Sequence, residues 1–141
     1  MSLKRFGSIV ARVMETLPRE FEPYLDNVVV DVEEEPSLEL LRDLGYSDEE
    51  IADGQSLFGL FSPMPLPSPY AGDVIDVRDL PHRLFIFKRP HEESFSGKQL
   101  LIEIRKTVIH ELAHHFGWTD RDLERFDNTP DPFGDDFERY L

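Results

Sequence analysis

Apolar residues alternate with polar ones in two different rhythms along this chain. Between Leu3 and Leu17 the residues Phe6, Ile9, Val10, Val13, Met14 and Leu17 recur at helical spacing, and Pro18 ends the pattern. The run from Asn27 to Val32 is β-branched and bounded by charge, which predicts a strand. Leu38 to Leu44 suits one or two helical turns. Ser47 and Glu50 stand at capping-box spacing ahead of a short helix that ends near Gly54. Leu57–Phe61 reads as a short strand, and the prolines at 63, 65, 67 and 69 require an extended surface loop after it. A second pair of strands is expected at Val74–Val77 and Arg83–Lys88, closed by Pro90.

The best-patterned helix follows. Ser96 with Gln99 opens it, Leu101, Ile104, Val108, Leu112 and Phe116 form its buried stripe, and Gly117 stops it. Thr119 with Asp122 caps one more short helix through Phe126. Residues 127–141 are rich in Pro, Gly and Asp and read as an irregular acidic C-terminal tail behind a domain of residues 1–126. Phe133, Phe137 and Tyr140 could dock that tail on the domain. A tail that instead covers and inhibits a cleft would give higher activity when removed.

Composition narrows the chemistry. The 141 residues are 40% apolar and 11% aromatic, enough to build a core without staples. There is no cysteine, which excludes disulfides, thiolate metal sites and cysteine nucleophiles. The formal net charge is -14, and residues 19–53 carry 13 acids against Arg19 and Arg42. Such a surface repels phosphate backbones, so nucleic acid is not an expected partner. The Glu33–Glu35 run reads as a solvated face. No apolar run approaches membrane-spanning length and no signal-peptide core is evident, so the expected setting is the cytoplasm, away from membranes.

The stretch His110-Glu111-Leu112-Ala113-His114-His115-Phe116-Gly117-Trp118-Thr119-Asp120 carries the chemistry. His110 and His114, four residues apart on a helix, share one face, where two imidazoles can converge on one Zn²⁺. That face, with Thr107 and Glu111, lies away from the buried stripe. Zinc brings the pKa of a bound water to about 7, and Glu111, beside the first ligand, is placed to take its proton as general base. A catalytic zinc needs a third protein ligand and one open position. Gly117 can reverse the chain so that Asp120 returns toward the metal. Helix-dipole stabilisation by Asp120 is the competing explanation, and Glu124 and Asp122 are the competing carboxylates. His115 points about 100° from His114 and suits packing. Trp118 is expected to anchor the core, and His82 and His91 to be exposed. The Leu84–Lys88 strand is either an ordinary sheet strand or the edge along which an extended peptide lies.

The string HExxHxxGxxD resembles the zincin metallopeptidases, with Asp where a third His is more usual. More narrowly, the chain resembles the short bacterial zincin-like proteins, or minimal metalloproteases. The His114–Gly117 run, the Leu80–Pro90 stretch and Gly59-Leu60-Phe61 add to the likeness, which spans residues 3 to 126. It implies an α+β fold, a small mixed sheet packed against helices with the motif on a helix of the C-terminal half. It also implies one zinc held by His110 and His114, with Asp120 as third ligand and Glu111 as catalytic base, and a peptide or protein substrate. Unlike metzincins, the chain has no methionine after the motif: Met1, Met14 and Met64 all precede it. The reading is a zinc-dependent metallopeptidase. The alternative is a catalytically inactive zinc-binding protein that acts through a protein partner. A metal-free acidic interaction module is the third reading.

Overall fold

The computed structural model describes residues 1–62 and 82–141. The expected strand at Val74–Val77 and the proline loop lie outside the described residues. Helix α1 (Leu3–Met14) is capped by the Ser2 hydroxyl and buries Phe6, Ile9, Val10 and Val13. A 3₁₀ turn (Arg19–Phe21) and α2 (Glu22–Leu25) lead to β1 (Val28–Glu33). Then come α3 (Leu38–Asp43) and α4 (Asp48–Ala52), the latter with the reciprocal Ser47–Glu50 capping box its spacing predicts. Strands β2 (Gly59–Ser62) and β3 (His82–Phe87) precede α5 (Lys88–Ser94), α6 (Gly97–His115) and α7 (Asp120–Asp127). A 3₁₀ turn (Phe137–Tyr140) closes the chain. No helix among the described residues is long and apolar enough to cross a membrane.

The α+β class holds: among the described residues a three-stranded mixed sheet, order β1-β3-β2, lies against helices. Strand β3 is parallel to β1, with Val30 opposite Leu84, and antiparallel to β2, with Leu60 opposite Phe85. The strand expected to run through Lys88 ends at Phe87, Lys88 opening α5, and it cannot serve as a free edge because both its sides are already paired. Among the described residues, the flank of the sheet nearer the motif is formed by β2.

Helix α6 is the fold's axis. Leu100, Leu101, Ile104, Val108, Ile109, Leu112 and Ala113 pack with Phe6, Ile9, Val13, Phe21, Leu84 and Ile86 in one buried cluster. Phe116 does not continue the stripe. As the helix C-cap it leaves helical phase, is 37% exposed, and stacks on Tyr24 at a 4.2 Å centroid distance. Ser96 stands at the N-cap without a side-chain cap bond, and Gln99 bonds Glu103 instead. The acidic run is not simply solvated: Glu34 pairs with the buried Lys88 at 2.6 Å and Glu35 with Arg89 at 3.0 Å, joining β1 to α5. The hydrogen bond that Lys88 donates to Glu34 holds its ammonium above its usual pKa.

His91 is fully buried rather than exposed. Its Nδ1 lies 2.7 Å from the Phe87 carbonyl, which can only accept, so Nδ1 carries the hydrogen, and its Nε2 lies 3.0 Å from the Thr107 hydroxyl, which also donates to the Glu103 carbonyl at 2.9 Å. The sequence offered no partner spacing for this contact, because Thr107 is brought to it by packing of α5 on α6. Burial lowers the His91 pKa. The folded state therefore resists a proton that the unfolded chain accepts near pH 6.5. His91's contribution to stability is complete above that pH and declines as pH falls from it toward the lower folded value. Thermal midpoints measured from about pH 7.5 to about 5.5 should fall for the wild type and fall less for His91→Gln.

Gly59 marks the closest approach of β2 to α6. A Cβ there would stand 2.6 Å from Thr107 Cγ2 and 3.1 Å from the Phe85 carbonyl oxygen. Gly59→Ala should cost about 1–3 kcal/mol by overpacking. Thr107→Ser, which deletes the clashing methyl but keeps the hydroxyl for His91, should restore part of that loss in chemical denaturation.

Candidate metal and catalytic site

Helix α6 ends as Gly117 predicts. With φ at +86°, Gly117 donates to the His114 carbonyl and Trp118 to the Ala113 carbonyl, the paired bonds of a Schellman stop. The chain reverses, and Thr119 opens α7 with Asp122 as its reciprocal cap partner. That duty commits the Asp122 carboxylate to the Thr119 amide at 2.8 Å and holds its pKa below the usual range, while Glu124 stays exposed. Asp120, the first residue of α7, lies with its Oδ1 2.9 Å from His114 Nε2. It is 92% exposed.

One carboxylate escaped the sequence reading. Asp127, at the far end of α7, sits with Oδ1 2.9 Å from His110 Nε2. Its signal was present: seven residues after Asp120 it falls within about 20° of the same helix face. Helix α7 thus runs back along α6 with one carboxylate for each histidine. The two imidazole centroids are 6.0 Å apart. The donors meet in two pairs, and among the described residues no three of His, Asp and Glu gather into a group able to hold a metal ion. The donor chemistry itself suits zinc: both Nε2 atoms and both carboxylate oxygens are ligand types it accepts, all toward the solvent side of α6.

Glu111 is half-buried between α6 and β2, and its Oε2 accepts the Phe61 amide hydrogen at 3.2 Å. Desolvation raises its pKa, opposed by that hydrogen bond and by the two flanking histidines. Glu111 and His110 also line a cleft of about 350 Å³ with Tyr46, Ser56, Phe58, Gly59 and Lys106. His115 stacks on Phe61 at 3.8 Å, and partial burial lowers its pKa. Trp118 anchors as expected, its ring 5.1 Å from Phe21 and its Nε1 donating to the Tyr24 hydroxyl.

An α+β domain whose long helix buries one face and carries two histidines a turn apart, with a glutamate between them facing a cleft, has the layout of a zincin-like protein. The chain belongs to the zincin-like metallopeptidase family, whose model matches residues 25–129. Among solved structures it is similar to a conserved hypothetical protein from Thermo thermophilus. The two are 24% identical, with a TM-score of 0.52, over 82% of this chain and 94% of that one, a likeness of fold. No curated protein matches the sequence.

Proposed function

We propose that this protein is a zinc-dependent peptidase, with Glu111 as its general base and His110, His114 and Asp120 as the residues that hold the metal. The observation that carries the reading is Glu111: a half-buried carboxylate of raised basicity, oriented by the Phe61 amide, on the wall of a cleft it shares with His110. Zinc, when bound, supplies a Lewis acid that acidifies water and polarises a carbonyl oxygen. Glu111 takes one proton from the attacking water as its oxygen adds to the peptide carbonyl carbon. It then returns that proton to the amide nitrogen as the C–N bond breaks, leaving a carboxylic acid and an amine. Burial favours both steps, because a carboxylate with a raised pKa accepts a proton more readily and can hold it for the leaving group.

His114 and Asp120 already adjoin one another, and Asp127 is the carboxylate beside His110. Metal content decides the ligand reading. Wild type purified without chelator and offered zinc should bind about one equivalent, and His114→Ala should lose it. Asp120→Ala should weaken binding by roughly ten-fold or more, and Asp127→Ala by less. The reverse order of the two aspartates would transfer the third-ligand role to Asp127. No zinc in the wild type after titration would end the peptidase reading.

A further inference from the structure

Peptide hydrolysis builds negative charge on the carbonyl oxygen, and a fixed hydrogen-bond donor aimed at that charge is among the largest contributions a protein makes to such a reaction. Two side chains that the sequence puts near the motif or the tail make their contacts away from this cleft. The Tyr140 hydroxyl accepts from Arg139, its ring packs edge-on to Phe133, and its carbonyl holds Arg12 on α1. The His115 ring is stacked on Phe61 and lies beside His82.

Tyr46 is differently placed. It lines the same cleft as His110 and Glu111, is half-buried, and its hydroxyl has no hydrogen-bond partner among the described residues. Its backbone is held from both sides. On one side, Gly45 at φ +97° lets the Tyr46 amide bond the Leu41 carbonyl at 3.0 Å, which completes the stop of α3. On the other, Ser47 begins the capping box of α4. The backbone that carries Tyr46 is thus fixed before a ligand arrives, so little main-chain freedom is lost on binding. Besides His110, the other side-chain donors lining the cleft are Thr107, whose hydroxyl donates to the Glu103 carbonyl at 2.9 Å, Lys106 and Ser56. Lys106 is exposed on a flexible stem and would bring a further positive charge beside two imidazoles and a cation, and Ser56 has a short reach.

Resting on the peptidase reading, we infer that Tyr46 donates its hydroxyl hydrogen to the carbonyl oxygen of the bound peptide as negative charge develops there, so that it is a further catalytic residue of this site. Tyr46→Phe keeps the ring and removes only the donor. In zinc-loaded protein it should lower kcat on the order of 10²-fold with KM changed less than about three-fold, and leave the thermal midpoint and zinc stoichiometry as in the wild type. A second readout needs no turnover. A phosphinic peptide, whose tetrahedral oxygens mimic the charged carbonyl, should bind Tyr46→Phe roughly ten-fold or more weakly by calorimetry, while the planar parent peptide binds zinc-loaded Glu111→Gln and Glu111→Gln/Tyr46→Phe alike. Lys106→Met is the comparison variant. If the wild type hydrolyses peptide and binds the phosphinate, and Tyr46→Phe matches it in both, the role of Tyr46 is wrong; a loss confined to Lys106→Met would be equally fatal to it. A wild type that holds zinc but neither hydrolyses nor binds the phosphinate overturns the peptidase reading, and Tyr46 with it.

Discussion

Glu111→Gln should abolish turnover while leaving the protein folded and loaded with metal. The amide has nearly the shape of the carboxylate, and its Oε1 can still accept the Phe61 amide hydrogen, so the contact between α6 and β2 survives. What disappears is the capacity to take a proton. General-base catalysis contributes roughly 10²–10⁴-fold, and a loss of at least that size in kcat is expected with zinc content unchanged. The relief of burying a carboxylate should also leave the variant no less stable than the wild type, since desolvation is the leading influence on Glu111. A peptide-library digest of zinc-loaded wild type and variant, followed by metal analysis of both, gives the result directly. Equal cleavage by the two would remove Glu111 from the chemistry, and the non-catalytic zinc-binding reading would then explain the motif better.

Phe133→Ala should be strongly damaging even though the residue lies outside every helix and strand. Phe133 is 1% exposed in the main core cluster, although it lies in the Pro-, Gly- and Asp-rich terminal segment. Cutting a buried phenylalanine to alanine costs about 3–5 kcal/mol through lost transfer energy and the cavity left behind. Urea unfolding should show that loss as a shift in midpoint at nearly constant slope. The same segment carries three further ties: Lys98 to Asp131 at 3.1 Å, Arg5 to the Leu141 carbonyl and Arg12 to the Tyr140 carbonyl. Removing residues 127–141 should therefore lower stability sharply and also take Asp127 from His110. An inhibitory lid would instead release a stable, more active domain, and activity and unfolding measured together on the truncated chain separate the two.

Local pattern made much of this protein legible from its sequence. Helix α1, the capping boxes at Ser47 and Thr119, the strand at residues 28–32 and the buried stripe of α6 as far as Leu112 all follow from spacing. Each depends on contacts within about four residues, or on a periodicity that any core-facing helix must show. The reversal at Gly117 was legible for the same reason, because a positive φ at a helix end is a demand that glycine meets best.

Contacts between segments distant in the chain were not. His91 looked exposed because its partner Thr107 is sixteen residues away on another helix, and no spacing rule links a ring nitrogen to a hydroxyl across a helix–helix contact. The role of residues 84–88 turned on which neighbours flank β3, a choice made by sheet order and invisible in the strand's own composition. The acidic run lost two of its charges to Lys88 and Arg89 by the same parallel pairing of β1 with β3. At the candidate site, the histidines, Glu111 and the position of Asp120 could be read from a single helix and its stop. The pairing of Asp127 with His110, the Phe61 amide on Glu111 and the placement of Tyr46 in the cleft required the fold, since each joins elements whose approach is fixed by the shared core rather than by any local preference. Sequence alone determined which side chains the candidate site offers, because residue type and helical spacing are local; tertiary packing decided which groups surround them, because burial and orientation are properties of the whole core.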